Sequence, residues 1–108
     1  MMNLKPPVRC LFRANGTYQA LTGPQTMAQI EALIDCTACD TVMLADRIHV
    51  MVVDDLGHQR GLPVNDVATL LYRDARPGSP WEIRGDVVIV PDSDYAKPDG
   101  MPYSNRPL

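Results

Sequence analysis

A chain of 108 residues with 45% hydrophobic and 21% charged side chains has the size and makeup of one ordinary globular domain. Its net charge of -3 is too mild for the dense anionic surface of a DNA mimic. It also argues against a nucleic-acid binder that works by counterion release, which needs a basic face.

Aromatic residues make up only 6%, so the core must be mostly aliphatic. No apolar run reaches the length of a membrane span, and the N-terminus lacks a signal-peptide core. The expectation is a cytoplasmic chain with no membrane partner. Three cysteines cannot complete an intrachain disulfide framework, and free thiols are the cytoplasmic default.

Residues 1–7 form a loose lead-in, and the domain is expected over 8–90. Val8, Cys10, Phe12 and Ala14 alternate with Arg9, Leu11 and Arg13, as in a strand. Asn15-Gly16 predicts a hairpin with positive φ at both residues, returning through Thr17 to Leu21. Gly23-Pro24 ends that strand. Thr26 and Gln29 have capping-box spacing, and Met27, Ile30, Leu33 and Ile34 follow at helical intervals. These positions predict a helix from Met27 to about Asp35.

Thr41 to Asp46 and Arg47 to Val53 read as a second hairpin turning near Asp46-Arg47. Asp54-Asp55-Leu56-Gly57 is a turn, and Gln59 and Arg60 could add a short pairing segment. Asn65 starts a second helix carrying Val67, Leu70 and Leu71, which ends before Pro77-Gly78. Trp81 to Val90 is the last strand, with a bulge at Gly85. Residues 91–108 are polar and punctuated by Pro91, Pro98, Pro102 and Pro107, which predicts a tail that is extended or disordered on its own. The predicted fold is α+β, in the order β-β-α-β-β-α-β, with an antiparallel or mixed sheet and both helices on one face.

Cys36-Thr37-Ala38-Cys39 has the spacing of a redox pair or half a zinc site. It lies just past a helix C-terminus, where the dipole raises thiol pKa values, so a structural role is expected. His49 and His58 lack a readable nucleophile partner, and both read as surface imidazoles. Asp54-Asp55 lacks the further oxygen ligands of a calcium loop. No glycine-rich phosphate cradle is present. No catalytic residue, metal or cofactor is therefore assigned.

A face of the sheet carries the binding expectation. If Ile48, Val50 and Val52 point toward the helices together with Ile83, Val87 and Ile89, then the opposite face holds Arg47, His49, Met51, Val53, Arg84, Asp86, Val88 and Val90. That face is cationic at one end and apolar at the other. It calls for a cover, namely the Pro-rich tail, a partner, or a second copy in a homodimer.

Gly61-Leu62-Pro63-Val64-Asn65-Asp66-Val67-Ala68-Thr69 and Ile83-Arg84-Gly85-Asp86-Val87-Val88-Ile89-Val90 together resemble the domain-of-unknown-function family numbered 3846. The likeness covers roughly Thr26 to Val90, and its most specific part is Gly-Leu-Pro-x-Asn. This chain departs from the family in the Cys36 to Cys39 loop, where members tend to carry a Gly-rich turn. The resemblance brings no catalytic residues. It implies a small accessory protein of a phage or mobile element.

The function expected is thus a non-enzymatic binding protein of that type, an inhibitor of a host defence factor. Two other classes stay open. One is a protein that sequesters a small anionic ligand such as a nucleotide at Arg47, His49 and Arg84. The other is a thiol or metal-dependent enzyme using Cys36 and Cys39.

Overall fold

A computed structural model describes residues 8–95. The elements are β1 (Cys10–Phe12), β2 (Tyr18–Ala20), α1 (Met27–Ile34), β3 (Cys39–Met43), β4 (His49–Asp54), α2 (Asp66–Ala75) and β5 (Val87–Pro91), followed by a 3-10 turn over Asp92–Tyr95. This is the predicted α+β element order. All strand pairs are antiparallel, in the spatial order β2-β1-β5-β4-β3.

Local chemistry explains the boundaries. In α1 the Thr26 side chain accepts from the Gln29 N–H at 3.1 Å, and Gln29 returns a bond to the Thr26 N–H at 2.8 Å. Both members of the capping box are therefore made, and two otherwise orphaned donors are satisfied. The chain leaves α1 through Asp35 in the left-handed region, at φ 53°. In the first hairpin only Gly16 has positive φ, at 92°, while Asn15 does not. The Gly16 N–H donates to the Arg13 carbonyl and the Arg13 N–H to the Thr17 carbonyl, both at 2.9 Å. This is a turn closed by a left-handed glycine, one residue longer than the two-residue loop the Asn-Gly pair suggested. Gln59 and Arg60 lie in consecutive turns and add no strand.

The helices lie on opposite faces of the sheet, which corrects the expectation of one shared face. α1 packs with Ile30 and Ile34 over Leu11, Val50, Val52, Val88 and Val90. α2 covers the other face, where Ala68 joins Cys10, Met51, Val53, Ile83, Val87 and Ile89. Burying Ile30 and Ile34 stabilises the fold by about 1.5–3 kcal/mol each. Cross-strand register pairs Val50 with Val90, Met51 with Ile89 and Val52 with Val88. Val87 and Ile89 therefore share a face with Met51 and Val53, the reverse of the expected parity.

The register of β4 against β5 sets this relation, since Ile83 stays in the same cluster as Val87 and Ile89. Gly85 instead sets where the strand begins: it sits at φ 91°, and a Cβ there would lie 2.8 Å from Leu62 Cδ1. The chain turns at this residue, so Trp81 to Asp86 forms a loop with one isolated bridge between Val64 and Arg84. The last strand is thus Val87–Pro91 and not Trp81 to Val90. The domain also extends past 90, since the Arg9 guanidinium binds the Asp94 carboxylate through two bonds of 2.8 and 2.7 Å. The expected lead-in at 1–7, and the tail expected at 91–108 from residue 96 onward, lie outside the described residues.

Candidate functional site

The loop Trp81 to Arg84 is fixed by the first turns of α2. Asn65 caps α2, its Oδ1 accepting from the Ala68 N–H at 3.0 Å. Its Nδ2 donates to the Gly85 and Phe12 carbonyls at 2.9 and 3.1 Å. One turn on, Thr69 Oγ1 accepts from the Ile83 N–H at 3.0 Å, and the Asn65 N–H donates to the Ile83 carbonyl at 2.8 Å. Ile83 is thereby held in the core, and its neighbours Glu82 and Arg84 are turned to the rim.

Above this loop runs a groove enclosing about 110 Å³. Its apolar floor is formed by Val42, Val53, Tyr72 and Ile83, and its walls by Asp40, Asp54, Asp55, Glu82, His58, Trp81 and Arg84. Trp81 remains 52% exposed, a large apolar ring left open to solvent. The His58 ring lies against it with centroids 4.1 Å apart and an interplanar angle of 32°. His58 Nε2 is 2.6 Å from the Glu82 carbonyl, which assigns that nitrogen as the donor and fixes the ring beside the indole.

The charges in the groove are unequally paired. Asp54 is buried; it accepts from the Leu56 N–H at 2.8 Å and forms an ion pair with Arg60. Arg60 also donates to the Asp35 carbonyl at 2.9 Å, tying the end of α1 to this turn. Asp40 and Asp55 are exposed. Asp40 accepts from the Thr41 N–H at 2.8 Å, and neither carboxylate has a cation partner among the described residues. Arg84 donates to the Leu62 carbonyl at 3.0 Å and stands 3.6 Å from the Glu82 carboxylate. Its Nε–H is buried without a partner among the described residues, a cost that an alkyl side chain would avoid.

The residues expected to line one binding face are separated. Met51, Val53 and Val88 are core residues, 0%, 8% and 0% exposed, with Val88 on the α1 side and the other two on the α2 side. Val90 is likewise buried under α1. The helices provide the cover that the tail or a second copy was expected to supply. Arg47 lies in the β3–β4 turn at φ 63° and His49 at the start of β4, the opposite end of the sheet from Arg84. His49 is half-buried between partners. Its Nδ1 is 2.6 Å from Asp46 Oδ2, and its Nε2 accepts from the Val8 N–H at 3.0 Å. Partial burial pushes the Asp46 carboxyl up, but bonds from His49 and Ile48 outweigh that and hold it below the usual carboxylate range. Arg47 instead shares an open cleft of about 480 Å³ with Arg76 and Asp74.

Cys36 and Cys39 are joined as a disulfide, which corrects the expectation of free thiols. The bond fastens the end of α1 to the start of β3, with Cys36 in the core beside Ile30 and Ile34. Cys10 is free and buried, and burial pushes its thiol up to about 11. No three His, Cys, Asp or Glu side chains among the described residues cluster as a metal site. No helix among them is long and apolar enough to cross a membrane.

The groove residues Asp40, Asp55, Trp81 and Glu82 were missed by the sequence reading. The only signal was the lone tryptophan of an aromatic-poor chain, placed directly after Gly78-Ser79-Pro80. No protein-family model matches the chain, nor does any curated protein or solved structure. The resemblance to the family numbered 3846 stands on its motif residues alone.

Proposed function

We propose that the chain is a non-enzymatic binding protein that engages a partner protein through the groove at His58 and Trp81. The observation that carries this reading is the half-open indole, backed by His58 at 4.1 Å and set over an apolar floor. Exposed tryptophans of this kind are over-represented among residues that anchor interfaces. A non-enzymatic role is supported by the occupation of the imidazoles. His49 has both ring nitrogens engaged, and His58 Nε2 is committed to a backbone carbonyl. The resemblance adds a setting, in which the partner is a defence factor of the host of a phage or mobile element.

Affinity capture from a host lysate tests this with the wild type, Trp81→Ser and Tyr18→Ser. Tyr18 is equally exposed but lies on β2, at the far edge of the sheet. A protein retained by the wild type and Tyr18→Ser but lost by Trp81→Ser supports the groove. Equal retention by all three overturns it. The cleft between Arg47 and Arg76 favours a second reading, sequestration of a small anion such as a nucleotide. Release of a nucleotide on heating the purified protein, abolished by Arg47→Ala, would support that reading instead.

A further inference from the structure

We propose that the groove receives the side chain of an arginine from a partner polypeptide, with its guanidinium lying on Trp81 and facing Asp40, Asp55 and Glu82. The inference rests on reading the groove as a binding surface and adds the chemistry of its occupant.

Size restricts the choice first. The groove encloses about 110 Å³. That is well below the roughly 300–1,000 Å³ of pockets that hold a whole cofactor or nucleotide. It is room for one long side chain, the rest of the ligand lying outside. Charge restricts it next. Asp54 is neutralised by Arg60. Asp40 and Asp55 have no such partner among the described residues, and Glu82 has Arg84 only at 3.6 Å. The rim therefore carries uncompensated negative charge, which repels phosphate or carboxylate and attracts a cation. The open indole restricts it further. A cation over the face of a tryptophan is held by the ring quadrupole, and tryptophan is the best such platform. Between the two cationic side chains, the planar guanidinium stacks on an aromatic face and donates through a fork matched to carboxylates. The lysine ammonium is more strongly hydrated and gives up that water less readily. The apolar floor of Val42, Val53 and Ile83 suits the methylenes that trail behind.

Trp81 is the only tryptophan in the chain, so its indole N–H resonance reports on the groove alone. The probes are four acetylated, amidated peptides, Gly-Ser-X-Ser-Gly, with X as arginine, lysine, citrulline or glutamate. The arginine peptide should shift the indole resonance in a saturable way. The lysine peptide should bind several-fold more weakly, and citrulline and glutamate should leave the resonance in place. Asp40→Asn, Asp55→Asn and Glu82→Gln combined should weaken the arginine peptide at least tenfold, with an unchanged far-UV spectrum. Raising the salt should weaken it as well. Citrulline or glutamate binding as tightly as arginine would overturn the proposal. So would an indole resonance unmoved by the arginine peptide in a protein whose Trp81→Ser variant still loses its captured partner. In that second case the groove remains a binding surface and only the arginine is wrong. Capture unaffected by Trp81→Ser would remove the groove itself and the arginine with it.

Discussion

Replacing Asn65 separates two roles that its position combines. The side chain is 1% exposed and makes three bonds, accepting from the Ala68 N–H and donating to the Gly85 and Phe12 carbonyls. If Asn65 served only as a helix cap, Asn65→Ala would cost about 1 kcal/mol, and Asn65→Asp, an equally good cap, almost nothing. The structure requires more. Loss of the amide leaves two carbonyls without this donor, and an unmet buried acceptor costs about 1–3 kcal/mol. Asn65→Ala should therefore destabilise by about 3 kcal/mol in total, a large share of the roughly 5–15 kcal/mol that holds a domain together. Asn65→Asp should be no better than Ala at neutral pH, since it faces a carboxylate toward two carbonyl oxygens. Urea unfolding followed by far-UV circular dichroism measures both variants. An Asp variant within about 0.5 kcal/mol of the wild type, well inside the size of a lost buried bond, would refute the clamp.

Four further outcomes follow from the same structure. Gly85→Ala should cost about 1–3 kcal/mol in a urea series, because alanine is strained at φ 91° and its methyl meets Leu62. Thiol titration of the native protein should find no fast-reacting group at neutral pH. Unfolding without reductant should expose one thiol, Cys10, and reduction should raise the count to all three cysteines; three before reduction would disprove the Cys36–Cys39 bond. Because burial raises the Cys10 thiol from 9.0 to about 11, the folded state holds its proton longer than the unfolded state. Its contribution to stability is complete below pH 9.0 and is lost as the pH climbs toward 11, a loss that Cys10→Ala should abolish. Asp46 has the opposite sign, since its folded carboxyl is held low. The contribution of Asp46, measured against Asp46→Ala, should be present at neutral pH and fade as acid protonates the carboxyl.

What could be read from the sequence was what short segments decide for themselves. The capping box at Thr26 and Gln29, the Asn65 cap and the second hairpin turn depend on neighbours within a few residues, and the structure forms each of them; the first hairpin forms too, with a longer turn than Asn15-Gly16 suggested. Which sheet face each helix covers depends on residues far apart, and there the reading went astray. Val50 to Val53 and Val87 to Val90 are unbroken apolar runs. Such runs belong to strands covered on both sides, whereas alternation belongs to strands with one wet face. Treating them as alternating produced an outer face that the fold does not possess. Gly85 then shortened the last strand to Val87–Pro91, because a left-handed residue redirects the chain. The groove was hidden for a related reason. Asp40 comes from β3, Asp55 and His58 from the turn after β4, Tyr72 from α2, and Trp81 from the loop before β5. No spacing in the sequence connects them.

The bond from the Thr41 N–H to the Asp40 carboxylate has a consequence for crowding. β3 is an outer strand, and its even-numbered residues Ala38 and Leu44 bond toward the chain that leads into and out of β4. Thr41 therefore faces outward, at the middle of an open rim where a stray strand would first attach. Its donor is already spent on a charged neighbour. The opposite rim, Tyr18–Ala20, is only three residues long and gives an incoming strand little to zip along. Among the described residues, the sheet thus has one rim blunted and the other cut short, two features that disfavour edge-to-edge pairing with another strand.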